Sequence, residues 1–224
     1  MDKDSSLAKQ IQLWRILYIT VLTIFSIWFL YAGGSREPLK ELFRFFTRTE
    51  IVERELSFES WRLIIGFALI SFWIMPAGSF ISQLIFKNLA RSNLDTESLG
   101  GSVSSMVGNL VVLAVIEEGF FRLIPLGIIF PLLGGKLFLW IIIIASNLIF
   151  ALLHFINLKE GNKVAVVMLF QFPTGLIYCY VFLSLGFFAC ATTYLIFDAL
   201  IVISMYVEEK IISKGQPIRP KAAE

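Results

Sequence analysis

Histidine, cysteine and charge are all scarce here: the 224 residues hold one His and two Cys, and Asp, Glu, Lys and Arg make up only 16%. A lone histidine leaves too few ligands for an ordinary zinc site, so no obligatory metal is expected. Both cysteines, Cys179 and Cys190, lie in apolar sequence and read as small buried hydrophobes rather than a disulfide or a metal pair. There is no Walker loop, dinucleotide fingerprint or Cys-x-x-Cys pair, so no cofactor is expected. The glycine pairs Gly33-Gly34, Gly100-Gly101 and Gly134-Gly135 mark the ends of apolar runs instead. A formal net charge of +2 gives no reason to expect nucleic acid as a partner. What is abundant is apolar sequence, 57% of the chain with a mean hydropathy of +0.79, which excludes an ordinary soluble enzyme.

Runs without a charged side chain and about 20 residues long cross the hydrocarbon of a bilayer as helices. Ile16 to Ser35 and Leu63 to Phe86 are two, the second carrying Pro76 and Gly78 as sites of a kink. Ser98 to Ile116 is a third and ends directly in Glu117 and Glu118. Leu123 to Leu133 is too short to span and contains Pro125 and Pro131, so its topology stays open between a short helix, a continuation and a re-entrant piece. Leu137 to Leu158 follows, then Val164 to Val207, whose only charge is Asp198 and which is expected to break near Ser184 to Gly186. The predicted fold is an all-α transmembrane bundle of about seven or eight helices in the cell membrane, with membrane lipids as neighbours. It divides into residues 1–97 (two spans and an intervening loop), a core at 98–207, and a polar, frayed tail at 208–224. Within the loop from Arg36 to Glu59, Leu39, Leu42, Phe43 and Phe46 recur at helical spacing among basic residues, predicting an amphipathic helix on a membrane surface. Asn88 to Gly101 reads as a polar linker.

Ionisable residues inside apolar spans cost about 2.5–3.5 kcal/mol each on insertion scales, so they are retained where they pair or act. Here they are Glu117, Glu118, Arg122, His154 and Asp198. On a helix Glu118 and Arg122 stand four residues apart and can pair, while Glu117 points about 100 degrees away. One glutamate is therefore expected to be structural and the other available to a cavity as a general base. Taken singly, His154 reads as a structural hydrogen-bond donor and Asp198 as a helix-packing contact or a functional group.

In order and spacing these residues resemble the CAAX prenyl endopeptidase and bacteriocin-processing (CPBP, Abi) family of membrane proteins. Glu-Glu-x-x-x-Arg is met by Glu117, Glu118 and Arg122, with Phe120 and Phe121 before the arginine. Phe-x-x-x-His is met by Phe150 and His154 in a Ser-x-x-x-Phe-Ala-x-x-His context, and the likeness continues through Gln171-Phe172 and Thr174-Gly175-Leu176 to the last helix. The third motif, His-x-x-x-Asn or Asp, departs: Asp198 fills its last position, but Tyr194 stands where the histidine belongs. The resemblance implies a glutamate intramembrane protease. Glu117 and His154 would activate a water, Arg122 would order Glu118, and Asp198 would sit on the oxyanion side. Tyr194 would serve there as a neutral hydrogen-bond donor in place of histidine.

The substrate so implied is a peptide or a lipidated protein reaching the cavity from the membrane, with peptide or bacteriocin maturation or self-immunity as the prokaryotic setting and removal of the three terminal residues of a prenylated protein as the eukaryotic one. The rival expectation is a non-catalytic scaffold or immunity protein of the same fold, favoured by Tyr194. A proton-coupled transporter is a weaker third reading, set back by the lack of an internal repeat.

Overall fold

A computed structural model describes residues 3–32, 37–48, 51, 53–55, 57, 60–86, 103–156, 164 and 167–215. Among them there is no strand. The α-helices among the described residues are α1 (Lys3–Ile27), α2 (Glu37–Arg48), α3 (Ser60–Phe86), α4 (Val103–Glu118), α5 (Phe130–Leu133), α6 (Lys136–Ile156), α7 (Phe172–Leu185) and α8 (Phe187–Gly215). Wider π-helical stretches there join or extend them: π1 (Trp28–Ala32), π2 (Gly119–Ile129) and π3 (Val167–Gln171). The helical membrane bundle expected from the apolar runs is thus the fold. Among the described residues, four segments are long and apolar enough to cross a membrane: Lys9–Leu30, Lys136–His154, Met168–Leu185 and Phe187–Val207.

Helix α7 is the core element. Its Ile177, Tyr178, Cys179, Tyr180 and Val181 are all buried, and α3, α6, α8 and π2 pack against it. Helix α4 lies on α8, where Met106 and Leu110 enclose Val202. On the other side α1 is tied to α8 by the Tyr18 hydroxyl, which donates to the Leu200 carbonyl, and to α3 by Trp73 Nε1, which donates to Ser26 Oγ at 2.9 Å. Interhelical polar bonds of this kind matter in lipid, which supplies no competing partner. The rest of α1 turns Leu13, Ile16, Leu17, Val21 and Ile24 outward. A row of that length is stable only against hydrocarbon.

The structure settles the open segment after Glu118. The chain does not stop there but widens into π2, and Phe130 N–H reaches five residues back to the Pro125 carbonyl. Pro125 has no N–H of its own, and a wider turn accommodates that gap; such turns recur at functional sites. Gly134 ends the segment at φ +64°. Leu123 to Leu133 is therefore a continuation, not a separate span. The break expected near Ser184 to Gly186 falls at Gly186, φ +84° and ψ −178°. In α3 the helix runs unbroken through Pro76 and Gly78. One expectation is corrected. The tail is helical through Gly215 rather than frayed from Glu208, because the last apolar span carries its hydrogen bonding onward. The amphipathic helix expected between Arg36 and Glu59 is α2, and its apolar set divides: Leu42 is buried with Pro38, Glu41 and Phe45, whereas Leu39, Phe43 and Phe46 face outward. The Asn88 to Gly101 linker lies outside the described residues.

Gly186 sits in backbone territory open essentially to glycine alone, and a β-carbon there would meet nothing within 4 Å. Gly186→Ala therefore isolates the backbone cost: it is expected to lower stability by about 1–3 kcal/mol in thermal unfolding of the detergent-solubilised protein. An unchanged midpoint would show that the α7–α8 turn has no such constraint.

Candidate active site

Four elements meet around Arg122. It stands four residues beyond Glu118 on π2, and its Nη1 lies 3.2 Å from Glu118 Oε1. Both side chains are fully buried, at 0% exposure. The guanidinium centre lies 4.4 Å from the Phe150 ring centroid, 5.5 Å from Tyr178 and 6.0 Å from Phe121, so three aromatic rings wall the cation. Its Nη2 reaches Asn147 Oδ1 on α6 and the Gly175 carbonyl on α7, each at 3.4 Å. A β-carbon at position 175 would overlap Asn147 Oδ1 and lie 3.0 Å from Arg122 Nη2. Glycine is thus required where the backbone approaches the arginine. Asn147 in turn donates Nδ2 to Cys179 Sγ at 3.3 Å.

The opposite wall is α8. Cys190, Tyr194 and Asp198 repeat every four residues and form one stripe. The Cys190 thiol donates to Glu118 Oε2 at 2.8 Å and contacts the Tyr178 carbonyl at 3.1 Å. One turn on, the Tyr194 hydroxyl donates to Glu117 Oε2 at 2.6 Å. The two adjacent glutamates therefore have different surroundings. Glu118 is enclosed and matched by a cation, whereas Glu117 is half-buried, and its Oε1 has no partner among the described residues. Asp198, one turn beyond Tyr194 on the same stripe, is also half-buried.

His154 stands on α6 one turn after Phe150, its ring centroid 4.5 Å from the Phe150 ring. Its Nδ1 lies 2.9 Å from the Phe150 carbonyl. A carbonyl can only accept, so Nδ1 carries a proton and donates it there, and Nε2 is not engaged by that contact. Phe150 in turn edges onto Tyr194, centroids 6.5 Å apart. His154 and Glu117 thus flank the Phe150–Tyr194 pair without a hydrogen bond between them.

Sequence reasoning placed Glu117, Glu118, Arg122, His154, Tyr194 and Asp198 as the candidate residues, and the structure brings the first three together with Tyr194. Sequence reasoning gave no place in the site to Asn147, Gly175, Tyr178 or Cys190. Cys190 is the clearest omission: it is buried as expected of a small hydrophobe, yet its thiol is spent on Glu118. The signal available was its position one turn before Tyr194 and two before Asp198. Among the described residues no group of three or more His, Cys, Asp or Glu side chains is arranged to hold a metal ion.

Removing one member of a buried ion pair leaves the other charge unmatched, at a typical cost of about 3–5 kcal/mol. Arg122→Met is expected to lose that much stability in denaturant titration, and Glu118→Gln added to it should recover part. A double variant no more stable than Arg122→Met would contradict the pairing.

Compared with known proteins, residues 99–200 match the family model described as Type II CAAX prenyl endopeptidase Rce1-like. No curated protein and no solved structure matches the chain.

Proposed function

From the Rce1-like domain at residues 99–200, we propose that this membrane protein is an endopeptidase that hydrolyses a peptide bond of a membrane-associated peptide or lipidated protein. The carrying observation is the division between the paired glutamates: Glu118 is consumed by Arg122 and Cys190, while Glu117, half-buried, keeps an oxygen that has no partner among the described residues. In this reading Glu117 Oε1 accepts a proton from water as the water oxygen bonds to the carbonyl carbon. His154, with Nε2 available, shares that proton and passes it to the amine as the carbon–nitrogen bond breaks. Arg122 acts through Glu118 and does not touch the substrate. Tyr194 donates to Glu117 at rest and turns its hydroxyl to the oxyanion when a carbonyl arrives, with Asp198 beside it. A neutral phenol brings no positive charge, so oxyanion stabilisation is weaker than with a histidine at that place.

A second reading, a scaffold or immunity protein with a disabled site, is favoured by one observation: the 2.6 Å bond from Tyr194 occupies the carboxylate that the reaction needs. Substitutions at 194 separate the two. With the parent chain in proteoliposomes cleaving a lipid-anchored peptide, Tyr194→Phe is expected to lower kcat by about 100- to 1,000-fold, the usual cost of one oxyanion donor. His154→Gln should reduce cleavage to background. Tyr194→His should retain or raise turnover. An inactive parent that gains cleavage only as Tyr194→His would establish the second reading.

A further inference from the structure

The outer face of α2 takes no part in the site, and its two stripes differ in chemistry. Lys40, Arg44 and Arg48 recur every four residues, forming a cationic line about 12 Å long at 1.5 Å rise per residue. Beside it Leu39, Phe43 and Phe46 are exposed, Phe43 by 66%. Leu39, Lys40, Phe43, Arg44 and Arg48 line an open groove of about 450 Å³.

The inner face explains why this arrangement holds. Glu41, a carboxylate in the middle of the helix that would repel an anion, is turned inward at 1% exposure. There it pairs with Arg54 and accepts from the Tyr180 hydroxyl of α7 at 2.9 Å. Phe45 stacks on Trp140 of α6 with centroids 5.2 Å apart and lies 5.1 Å from the Tyr180 ring. Pro38 closes against Gly66 of α3, where a β-carbon would lie 2.7 Å from the proline ring. The helix is thus held by its buried face, while Arg44, Arg48 and the outward apolar side chains lie outside both the core and the cluster around Arg122. It also follows the span Lys9–Leu30 and precedes the apolar helix Ser60–Met75, so it lies where a chain returns at a membrane face.

We propose that the outer face of α2 is a binding site for the phosphate headgroup of anionic membrane phospholipid. Arg44 and Arg48 take the phosphate oxygens, Lys40 extends the positive field, and Leu39, Phe43 and Phe46 enter the adjoining acyl region. Guanidinium groups suit this because their N–H donors match phosphate oxygens in pairs. A protein partner would need compensating carboxylates and a matching cover for Phe43. A bilayer supplies both phosphate and hydrocarbon at the level where a helix of this pattern rests.

The test is native mass spectrometry of the full chain in a non-ionic detergent, titrated with phosphatidylglycerol or phosphatidylcholine of the same acyl chains. Phosphatidylglycerol should be retained preferentially, and its binding should weaken as salt rises from about 0.05 to about 0.5 M. Arg44→Gln/Arg48→Gln should weaken it by about tenfold or more, while Lys136→Gln, a cation at the start of α6, should not. Equal retention of the two lipids, or undiminished binding by the double variant, would overturn the proposal. Displacement of the lipid by millimolar inorganic phosphate would also overturn it, showing a site for free anion. Should the double variant fold poorly by circular dichroism, the salt dependence and lipid preference of the parent still decide.

Discussion

The buried pair of Arg122 and Glu118 is the interaction on which the arrangement of the site depends. A fully enclosed guanidinium is tolerable only with its charge matched and its faces occupied, and the chain supplies both. Glu118 provides the charge, Phe150, Tyr178 and Phe121 provide the faces, and Asn147 with the Gly175 carbonyl takes part of the remaining donor capacity. These partners come from α4, π2, α6 and α7. Satisfying one cation therefore fixes four elements in relation to each other, as a purely apolar interface between helices in lipid would not.

The consequence for Glu117 follows from its being next in the chain to Glu118. With Glu118 held by Arg122 on one side and by Cys190 on the other, the residue before it is turned toward α8 and meets Tyr194. The π-helical stretch beginning at Gly119 contributes, because the wider turn lets Arg122 reach inward while Pro125 is accommodated without a broken helix. Two adjacent carboxylates thus have different surroundings, and the difference is set by packing rather than by distance along the chain.

Much of this was legible in the sequence, for identifiable reasons. Long uncharged runs announce helices in lipid because a lone charge there is costly, so α1, α3, α6 and the α7–α8 pair were visible as apolar stretches, with the break at Gly186. The same cost made five ionisable residues stand out, and the four-residue step from Glu118 to Arg122 gave their pairing. What was not legible depended on contacts between elements. Cys190 looks like any small apolar residue until α8 is laid against Glu118. Gly175 looks like a helix glycine until Asn147 and Arg122 close on it. In α2 the period of the apolar residues was plain, but Leu42 and Phe45 went to the bundle while Leu39, Phe43 and Phe46 faced outward. Periodicity names a face and not what covers it. Nor does it show that Glu41 turns inward, which takes Tyr180 and Arg54 to explain.

The central claim is that Glu117, freed by the commitment of Glu118 to Arg122, is the group that activates water. Its most direct test compares peptide termini in membranes from cells making the parent chain or Glu117→Gln at matched levels. The account predicts a set of new termini that appears with the parent and vanishes with the variant. Identical termini from two folded, inserted proteins would contradict it and leave the bundle as a binding scaffold.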